Sequence, residues 1–301
     1  MSTTLSARRR QRLHAPQTRA AWLLVIPFLV VFLAMFVVPL LYAAYLSLFT
    51  SQLVGGSVFS GFANYARALQ DPSFWSGLGT VSLFLFIQVP IGLALSVFFA
   101  LALDSGRVRG GKWARLLIFV PYAVPSVVAT LMWGYLYGNN FGLITQVFEA
   151  IGLPGPELLS AGNITGSTMN ILIWEFVGYN MIVLYAALRS IPTDLYEAAE
   201  LDGAGQWRIA WSIKLPALRP AITLVVIFSI IGSFQLFNEP NLLFTLAPNA
   251  IGSDFTPNLY AYNLAFKNQD VNYAAAIAFL LGLAIAILSF IVQTRAARKE
   301  N

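Results

Sequence analysis

The stretch "EAAELDGAGQWRIAWSIKLP", Glu197–Pro216, is a polar segment in a chain that is otherwise dominated by long apolar runs. It opens with three carboxylates, at Glu197, Glu200 and Asp202, and continues through a glycine at position 203. Apolar runs long enough to cross a membrane lie on both sides of it. We therefore interpret residues 190–219, here called the bracket, as a polar connection between two membrane spans.

The composition of the chain indicates an all-α integral membrane protein. Of its 301 residues 58% are hydrophobic and only 10% are charged, whereas soluble domains carry about 25% charged residues. The polar residues are too few to cover a water-soluble globule of this size, and the mean hydropathy is +0.71. The chain has no cysteine, and its single histidine is His14 in a basic tail, so neither a disulfide nor a metal site is expected.

Six apolar segments are long enough to cross the hydrocarbon core, which takes roughly 20 helical residues. The first follows an arginine-rich tail, but it is too long for a signal-peptide core and lacks an Ala-x-Ala exit, so we interpret it as a retained span. Prolines inside the spans predict kinks, either as ordinary packing features or lining a transport pathway. The predicted spans are about 20–49, 78–103, 116–137, 168–188, 220–240 and 273–292.

The distribution of basic residues predicts the orientation of these spans. Of the 18 lysines and arginines, only Arg67 and Lys267 fall on the side opposite the bracket. Basic residues are retained in the cytoplasm, so we expect a cytoplasmic N-terminal tail (1–19), a six-span domain (20–293) and a cytoplasmic C-terminal tail (294–301). This asymmetry also accounts for the net charge of +5 without nucleic acid as a partner.

The bracket itself is predicted to form a helix–turn–helix on the cytoplasmic face. Thr193 or Asp194 can cap the first helix, and Asp194 with the glutamate three residues later forms a variant of the capping box. Gly203 supplies the left-handed residue that ends this helix, and a second helix over about 206–213 is expected to end at Pro216. The alternative is a solvated amphipathic loop that only joins two spans.

The spacing within the bracket matches a known signature. Glu197-Ala198-Ala199, then Gly203, then Ile213 and Leu215-Pro216 stand at the positions of the "EAA" loop of permease subunits of bacterial ABC importers. The resemblance implies the type I importer permease fold and makes the bracket a coupling element that docks on a separate ATPase. The residues implied in this coupling are Glu197, Ala198, Ala199, Asp202 and Gly203.

Other stretches extend the resemblance over most of the chain. "GFANYARALQDPSFWSGLGT" (61–80), "LIFVPYAVPSVVATLMWGYLY" (117–137) and "YAAAIAFLLGLAIAI" (273–287) are similar to the carbohydrate-uptake group, on the side of the maltose- and glycerol-phosphate-type first permease subunit. The resemblance implies a sister permease forming a heterodimer, two ATPase subunits or domains, an extracytoplasmic solute-binding protein and a location in the bacterial cytoplasmic (inner) membrane, among lipid.

One segment partly matches a phosphate-binding loop but lacks essential features of that motif. Gly106–Trp113 has the spacing of that motif, but Trp113 stands where a serine or threonine should hold Mg²⁺, and an apolar span precedes it instead of a strand. We therefore expect no catalytic residue and no cofactor bound by this chain. ATP and Mg²⁺ are expected on the partner ATPase.

Polar residues within spans four and five are the candidate solute pathway, because such residues are costly in a membrane and mark functional sites. Amide and carboxylate groups suit sugar hydroxyls, and aromatic faces suit the apolar side of a sugar ring. Gln235, Asn238 and Glu239 are expected on one helical face of span five. The alternative is hydrogen bonding between helices, including those of a partner permease. The full candidate set is Glu175, Tyr179, Asn180, Phe234, Gln235, Phe237, Asn238 and Glu239.

These observations favour a permease subunit of an ATP-driven, binding-protein-dependent sugar importer, with a di- or oligosaccharide as the expected solute. An anionic solute such as glycerol 3-phosphate is the first alternative, although spans four and five contain no lysine or arginine. An ion-coupled secondary transporter is a second alternative, but it predicts buried charge relays or internal repeats. A membrane scaffold without transport is a third, and it predicts that the polar span residues are dispensable.

Overall fold

The computed structural model describes residues 22–52 and 56–298, most of which are helical. The predicted tail 1–19 and the last residues of the C-terminal tail lie outside the described residues. The elements, numbered in chain order, are α1 (Trp22–Ser47), β1 (Phe49–Gln52), β2 (Gly56–Phe59), α2 (Ala63–Gln70), α3 (Pro72–Asp104), α4 (Gly111–Ala123), α5 (Ser126–Leu136), α6 (Leu143–Ala150), α7 (Ile164–Arg189), α8 (Thr193–Leu201), α9 (Gln206–Ala217), α10 (Arg219–Phe234), α11 (Asn238–Leu246), α12 (Pro257–Phe266) and α13 (Val271–Ala297).

Helices α1, α3, α7 and α13 are each long and apolar enough to cross a membrane without interruption. They coincide with the first, second, fourth and sixth predicted spans, although α3 already begins at Pro72 because Asp71 caps it. Two bent helix pairs, α4 with α5 and α9 with α10, also pass the same test when each pair is taken together. The described residues thus contain four to six candidate spans.

The third predicted span is not one helix, which corrects the expectation for residues 116–137. Helices α4 and α5 meet at 95° around Val124 and Pro125. Val124 has the extended backbone angles φ −77°, ψ 129°, because a proline ring clashes with the residue before it in the helical region. The chain therefore turns sharply in the middle of an apolar run.

The fifth predicted span also differs from a single helix over 220–240. Helix α10 ends at Phe234, and after three residues the chain starts again as α11 at Asn238. Pro240 lies in the first turn of α11, where its missing N–H costs nothing. A continuous helix would instead have placed its ring against the carbonyl four residues earlier.

Three other prolines are absorbed inside helices by a local widening of the backbone. Each follows a five-residue π-helical segment, and the residue directly before the proline donates its N–H to the carbonyl five residues back. This wider turn relieves the contact between the proline ring and the preceding turn, so that the helix continues. The segments are Leu33–Val37 before Pro39, Phe84–Gln88 before Pro90, and Ala210–Lys214 before Pro216.

Two of the apolar clusters around which the helices pack lie toward opposite ends of the bundle. At the end near the bracket, Met181 and Leu184 of α7 pack with Ala100 of α3 and with α10. At the end near the β-hairpin, Phe74, Phe234 and Tyr273 join α3, α10 and α13. We call these the bracket end and the hairpin end.

A small antiparallel hairpin interrupts the expected all-helical architecture, since β1 pairs with β2 directly after α1. The sequence analysis did not predict it. Much of the bundle's outer surface is apolar: Leu24 and Met35 on α1, for example, are 82% and 77% exposed. A surface of this extent is not stable in water and requires lipid or another apolar partner.

Candidate functional site

The turn of the bracket is built as the sequence predicts. Gly203 has φ +78°, its N–H donates to the carbonyl of Glu200, and the next N–H, of Ala204, donates to the carbonyl of Ala199. This pair of bonds is the Schellman motif, which needs a left-handed residue at the position of Gly203. The prediction that Gly203 ends the first bracket helix is confirmed.

Two other predictions for the bracket are wrong. Pro192, with ψ 133°, is the capping residue of α8, and no side chain caps the helix. Thr193 and Asp194 are already helical, so neither can act as the N-cap, and the capping box with Glu197 does not form. The second bracket helix also runs past Pro216 to Ala217, because the π segment before it makes room for the ring.

Most of the residues implied in ATPase coupling are exposed to solvent on the surface of the bracket. Glu197, Ala198, Asp202 and Gly203 are exposed, and Ala199 is partly buried. Leu201, between them, is 89% exposed. An exposed apolar side chain beside carboxylates and a close-approach alanine face is suited to a protein partner.

The opposite side of the bracket is held by an ion pair that the sequence did not predict. The Lys214 ammonium lies 2.5 Å from the carboxylate of Asp104, the last residue of α3, and both side chains are less than 10% exposed. The same ammonium lies 5.0 Å from the centre of the Tyr196 ring on α8. Burial raises the pKa of the Tyr196 hydroxyl, Asp104 raises it further, and Arg189 partly offsets both effects.

A pocket of about 730 Å³ lies where the α4–α5 junction and the α10–α11 junction face α7. Its walls come from the α4–α5 junction, from the middle of α7 and from the α10–α11 junction. Volumes of 300–1,000 Å³ are usual for small-molecule sites. Both helix breaks therefore contribute walls to the cavity.

Seven of the eight predicted pathway residues line this pocket, although not in the predicted way. Gln235, Asn238 and Glu239 do not share the face of one helix, because α10 ends at Phe234 and α11 begins at Asn238. Phe234 is the exception, since it is 3% exposed within the hairpin-end core. The seven that line it are Glu175, Tyr179, Asn180, Gln235, Phe237, Asn238 and Glu239.

Several lining residues were missed by the sequence analysis. Tyr122 stacks on Tyr179 with 4.6 Å between ring centres, and the Ser126 hydroxyl lies 3.5 Å from the Asn238 amide. Gln88 also lines the cavity. Pro125 in an otherwise apolar run was the available signal for the first two, because the break it causes turns its neighbours toward the cavity.

The described residues that line the pocket include two carboxyl side chains and no basic ones. Glu175 is 5% and Glu239 is 6% exposed, and no lysine, arginine or histidine stands among the described residues that line the cavity. One carboxylate oxygen of Glu175 has no hydrogen-bond partner among the described residues. The pocket thus offers acceptors and aromatic faces but no cation.

An apolar helical bundle with a pocket of carboxyl, amide and aromatic side chains between helix breaks and an exposed polar bracket at one end has the architecture of a multi-pass membrane transport component. The chain belongs to the family of binding-protein-dependent transport system inner membrane components, whose family model matches residues 88–300. The EAA resemblance is thereby confirmed, and the protein is a transport component located in the inner membrane.

Named relatives cover nearly the whole chain. The lactose transport system permease protein LacF of Rhizobium radiobacter is 32% identical over 93% of this chain and 94% of its own length. The arabinooligosaccharides transport system permease protein AraP of Bacillus subtilis is 29% identical over 90% of this chain and 87% of its own length.

Solved structures show the same fold. A chain of a bacterial ABC transporter involved in the import of the acidic polysaccharide alginate superposes with a TM-score of 0.84 at 18% identity, covering 96% of this chain and 99% of that one. A second structure of a bacterial alginate ABC transporter, in complex with a periplasmic protein bound to alginate pentasaccharide, also gives 0.84. The chain therefore shares its fold with the matched chains of these two transporters.

Proposed function

We propose that this chain is the transmembrane permease subunit of an ATP-driven importer for a sugar, in particular a di- or oligosaccharide. The observation that carries the proposal is the pocket, which gathers amides, carboxylates and aromatic rings at the junction of three helical elements. Amide and carboxylate groups pair with hydroxyls, and aromatic faces pack against the apolar face of a sugar ring. The relatives whose names specify lactose and arabinooligosaccharides support the same solute class.

The proposed topology has six spans and cytoplasmic ends, with each bent pair counted as one span. The positive-inside rule supports it, since the bracket end carries nearly all basic residues. In this orientation the bracket lies in the cytoplasm and the hairpin faces outward. The predicted division into tail, permease domain and tail follows from the same orientation.

The proposed mechanism couples the bracket to an ATPase and the pocket to alternating access. A sister permease forms a heterodimer with this chain, two ATPase subunits or domains contact the exposed residues Glu197, Ala198, Ala199, Asp202 and Gly203, and an extracytoplasmic binding protein delivers the solute. ATP and Mg²⁺ are held by the ATPase, and we infer that this chain binds neither. Gly111 begins α4 directly after a helix and turn, which is not the setting of a phosphate-binding loop.

The composition of the pocket lining favours a neutral sugar over an anion. A phosphate or carboxylate inside it would find no cation among the described lining residues to offset the cost of its desolvation. Glycerol 3-phosphate is thus disfavoured as the solute. No described feature favours an ion-coupled transporter, and family membership supports dependence on a binding protein.

Uptake by the reconstituted importer tests the pocket assignment. Changing Gln235, Asn238 and Glu239 together to alanine is expected to reduce uptake of a neutral disaccharide at least tenfold while the ATPase still co-purifies. The matched control changes Asn139, Gln146 and Glu149, which are exposed and outside the pocket. Normal uptake by the pocket variant would mean that its polar residues only join helices, as in a scaffold.

A further inference from the structure

The underside of the bracket is fixed to a single membrane helix by charges that are largely removed from solvent. Lys214 lies in the π segment of α9, and its ammonium pairs with Asp104 at 2.5 Å, with side-chain exposures of 9% and 5%. A buried pair is costly to desolvate, and apolar residues at the same positions often give equal or greater stability. Its presence therefore calls for a reason other than stability alone.

Both helices of the bracket meet at this pair. Tyr196 of α8 presents its ring to the Lys214 ammonium at 5.0 Å, while Gln206 of α9 donates a 2.7 Å hydrogen bond to Glu200 of α8. A displacement of α8 is consequently carried by α9 and reaches Asp104 through Lys214. Through Tyr196, Lys214 thus contacts helix α8, which carries the proposed ATPase-docking residues.

Helix α3 leads from this contact to the far side of the bundle. It runs for 33 residues, Pro72–Asp104, which corresponds to about 50 Å at 1.5 Å per residue. Along the way the Ser96 hydroxyl, which donates to the carbonyl of Gly92 in its own helix, also lies 3.2 Å from the carbonyl of Val177 on α7. At its start Asp71 accepts hydrogen bonds from α12 and α13. A pull at Asp104 therefore acts on a helix that contacts both the pocket wall α7 and the hairpin end.

We propose that Lys214 is a positioning residue that transmits bracket movement to α3 through Asp104, so that loss of the pair uncouples ATP hydrolysis from transport. The ion pair is distinct from the docking surface, which is formed by exposed residues on the other side of α8. This inference rests on the proposed function, because it requires an ATPase that moves the bracket. It assigns the transmission step to two residues that the EAA spacing does not include.

The first test is Lys214→Met in the assembled importer. We expect the ATPase to co-purify as before and basal hydrolysis to persist, while the stimulation by solute-loaded binding protein and the uptake rate fall at least tenfold. The solute concentration for half-maximal uptake is expected to stay unchanged, because the pocket is untouched. The matched control Lys112→Met removes an exposed lysine in the first turn of α4 and is expected to change none of these quantities.

Charge exchange separates transmission from simple disruption. The double variant Asp104→Lys with Lys214→Asp is expected to recover most of the uptake that either single change removes. Tyr196→Phe keeps the aromatic face toward the ammonium and is expected to behave as the parent protein. Full coupling in Lys214→Met, with the protein inserted and the ATPase bound, would overturn the inference while leaving the proposed function intact.

A cross-linking experiment tests the connection between positions 104 and 214 within one protein preparation. Because treated and untreated samples of the same preparation are compared, the test remains valid if the single variants insert poorly. The chain contains no cysteine, so Asp104→Cys with Lys214→Cys introduces a unique thiol pair. A short bifunctional thiol reagent is expected to raise uptake at least fivefold over the untreated sample, and each single-cysteine variant controls for the reagent. No recovery after verified cross-linking would overturn the inference. Absence of solute-stimulated hydrolysis in the parent complex would instead contradict the proposed function.

Discussion

The Tyr273 hydroxyl donates a 2.6 Å hydrogen bond to Asp71, a residue 202 positions earlier in the chain. The Tyr260 hydroxyl donates to the same carboxylate oxygen, also at 2.6 Å. The Arg67 guanidinium lies 3.8 Å from the centre of the Tyr273 ring and pairs with Asp270 at 2.8 Å. One carboxylate thus joins the start of α3 to α12 and α13 at the hairpin end.

Removing the Asp71 charge is expected to loosen the hairpin end. Asp71→Asn loses two charge-assisted hydrogen bonds, and we expect a loss of about 1–3 kcal/mol in unfolding free energy. Burial raises the pKa of Asp71, but the bonds from Tyr260, Tyr273 and the amides of Ser73 and Phe74 more than offset this, so its pKa lies below the ordinary value of 3.8. Thermal unfolding in detergent at pH 7 measures the loss.

The stabilisation that Asp71 provides is expected to decrease as the pH falls. Because the folded-state pKa of Asp71 is lowered, its contribution is complete above the unfolded-state pKa and is lost as the pH falls through the folded-state value. The stability difference between the parent and Asp71→Asn should therefore be constant from pH 7 to about pH 5 and shrink below about pH 3.8. An unchanged difference at pH 3 would show that the charge of Asp71 is not what stabilises this end.

Gly203 and Gly205 provide a matched pair for testing the bracket turn. A Cβ at either position would meet nothing within 4 Å, but only Gly203 has a left-handed backbone, with φ +78°. Gly203→Ser is expected to cost about 1–2 kcal/mol locally, to distort the Schellman turn and to reduce uptake and ATPase co-purification severalfold. Gly205→Ser, at the N-cap of α9 where serine is at least as favourable as glycine, is expected to leave both nearly unchanged, and equal effects of the two changes would contradict the conformational explanation.

Gly178 is a contact point between α7 and α4 that tolerates no side chain. A Cβ there would collide with the backbone carbonyl of Ile118, which cannot rotate away. Gly178→Ala is expected to lower the unfolding free energy by about 1–3 kcal/mol, as overpacked cores do. Gly166→Ala, on the same helix with open space around it, is the control and should be neutral or slightly stabilising. Thermal unfolding of both variants tests the close approach.

The sequence predicts the long spans and the bracket turn because these features are local. Uninterrupted apolar runs specify α1, α3, α7 and α13, and a glycine at the end of a short helix specifies the turn at Gly203. The fate of prolines is not local: Pro39 and Pro90 are absorbed by π segments, whereas Pro125 breaks the chain by 95°. Whether a helix widens or breaks depends on the neighbours that surround it, and these are fixed only by the tertiary fold.

The candidate pocket was predicted in composition but not in geometry. Gln235 and Glu239 were chosen as polar residues in an apolar run, and both line the cavity, yet the helical face assumed for them does not exist. Phe234 was included for its chemistry and lies in the core instead. The Asp104–Lys214 pair could not be predicted, because nothing in the sequence pattern links residues 110 positions apart.

Glu175 provides a final test, in which stability and transport should move in opposite directions. Its carboxylate is 5% exposed and leaves one oxygen without a partner among the described residues, an arrangement that costs about 1–3 kcal/mol. Glu175→Gln replaces a carboxyl group that is costly to ionise when buried by an amide of the same size, so the assembled complex should unfold at a higher temperature, whereas uptake of a neutral disaccharide should fall severalfold. Glu149→Gln, at an exposed position, should change neither. A lower unfolding temperature for Glu175→Gln would contradict the inference that this carboxyl destabilises the fold.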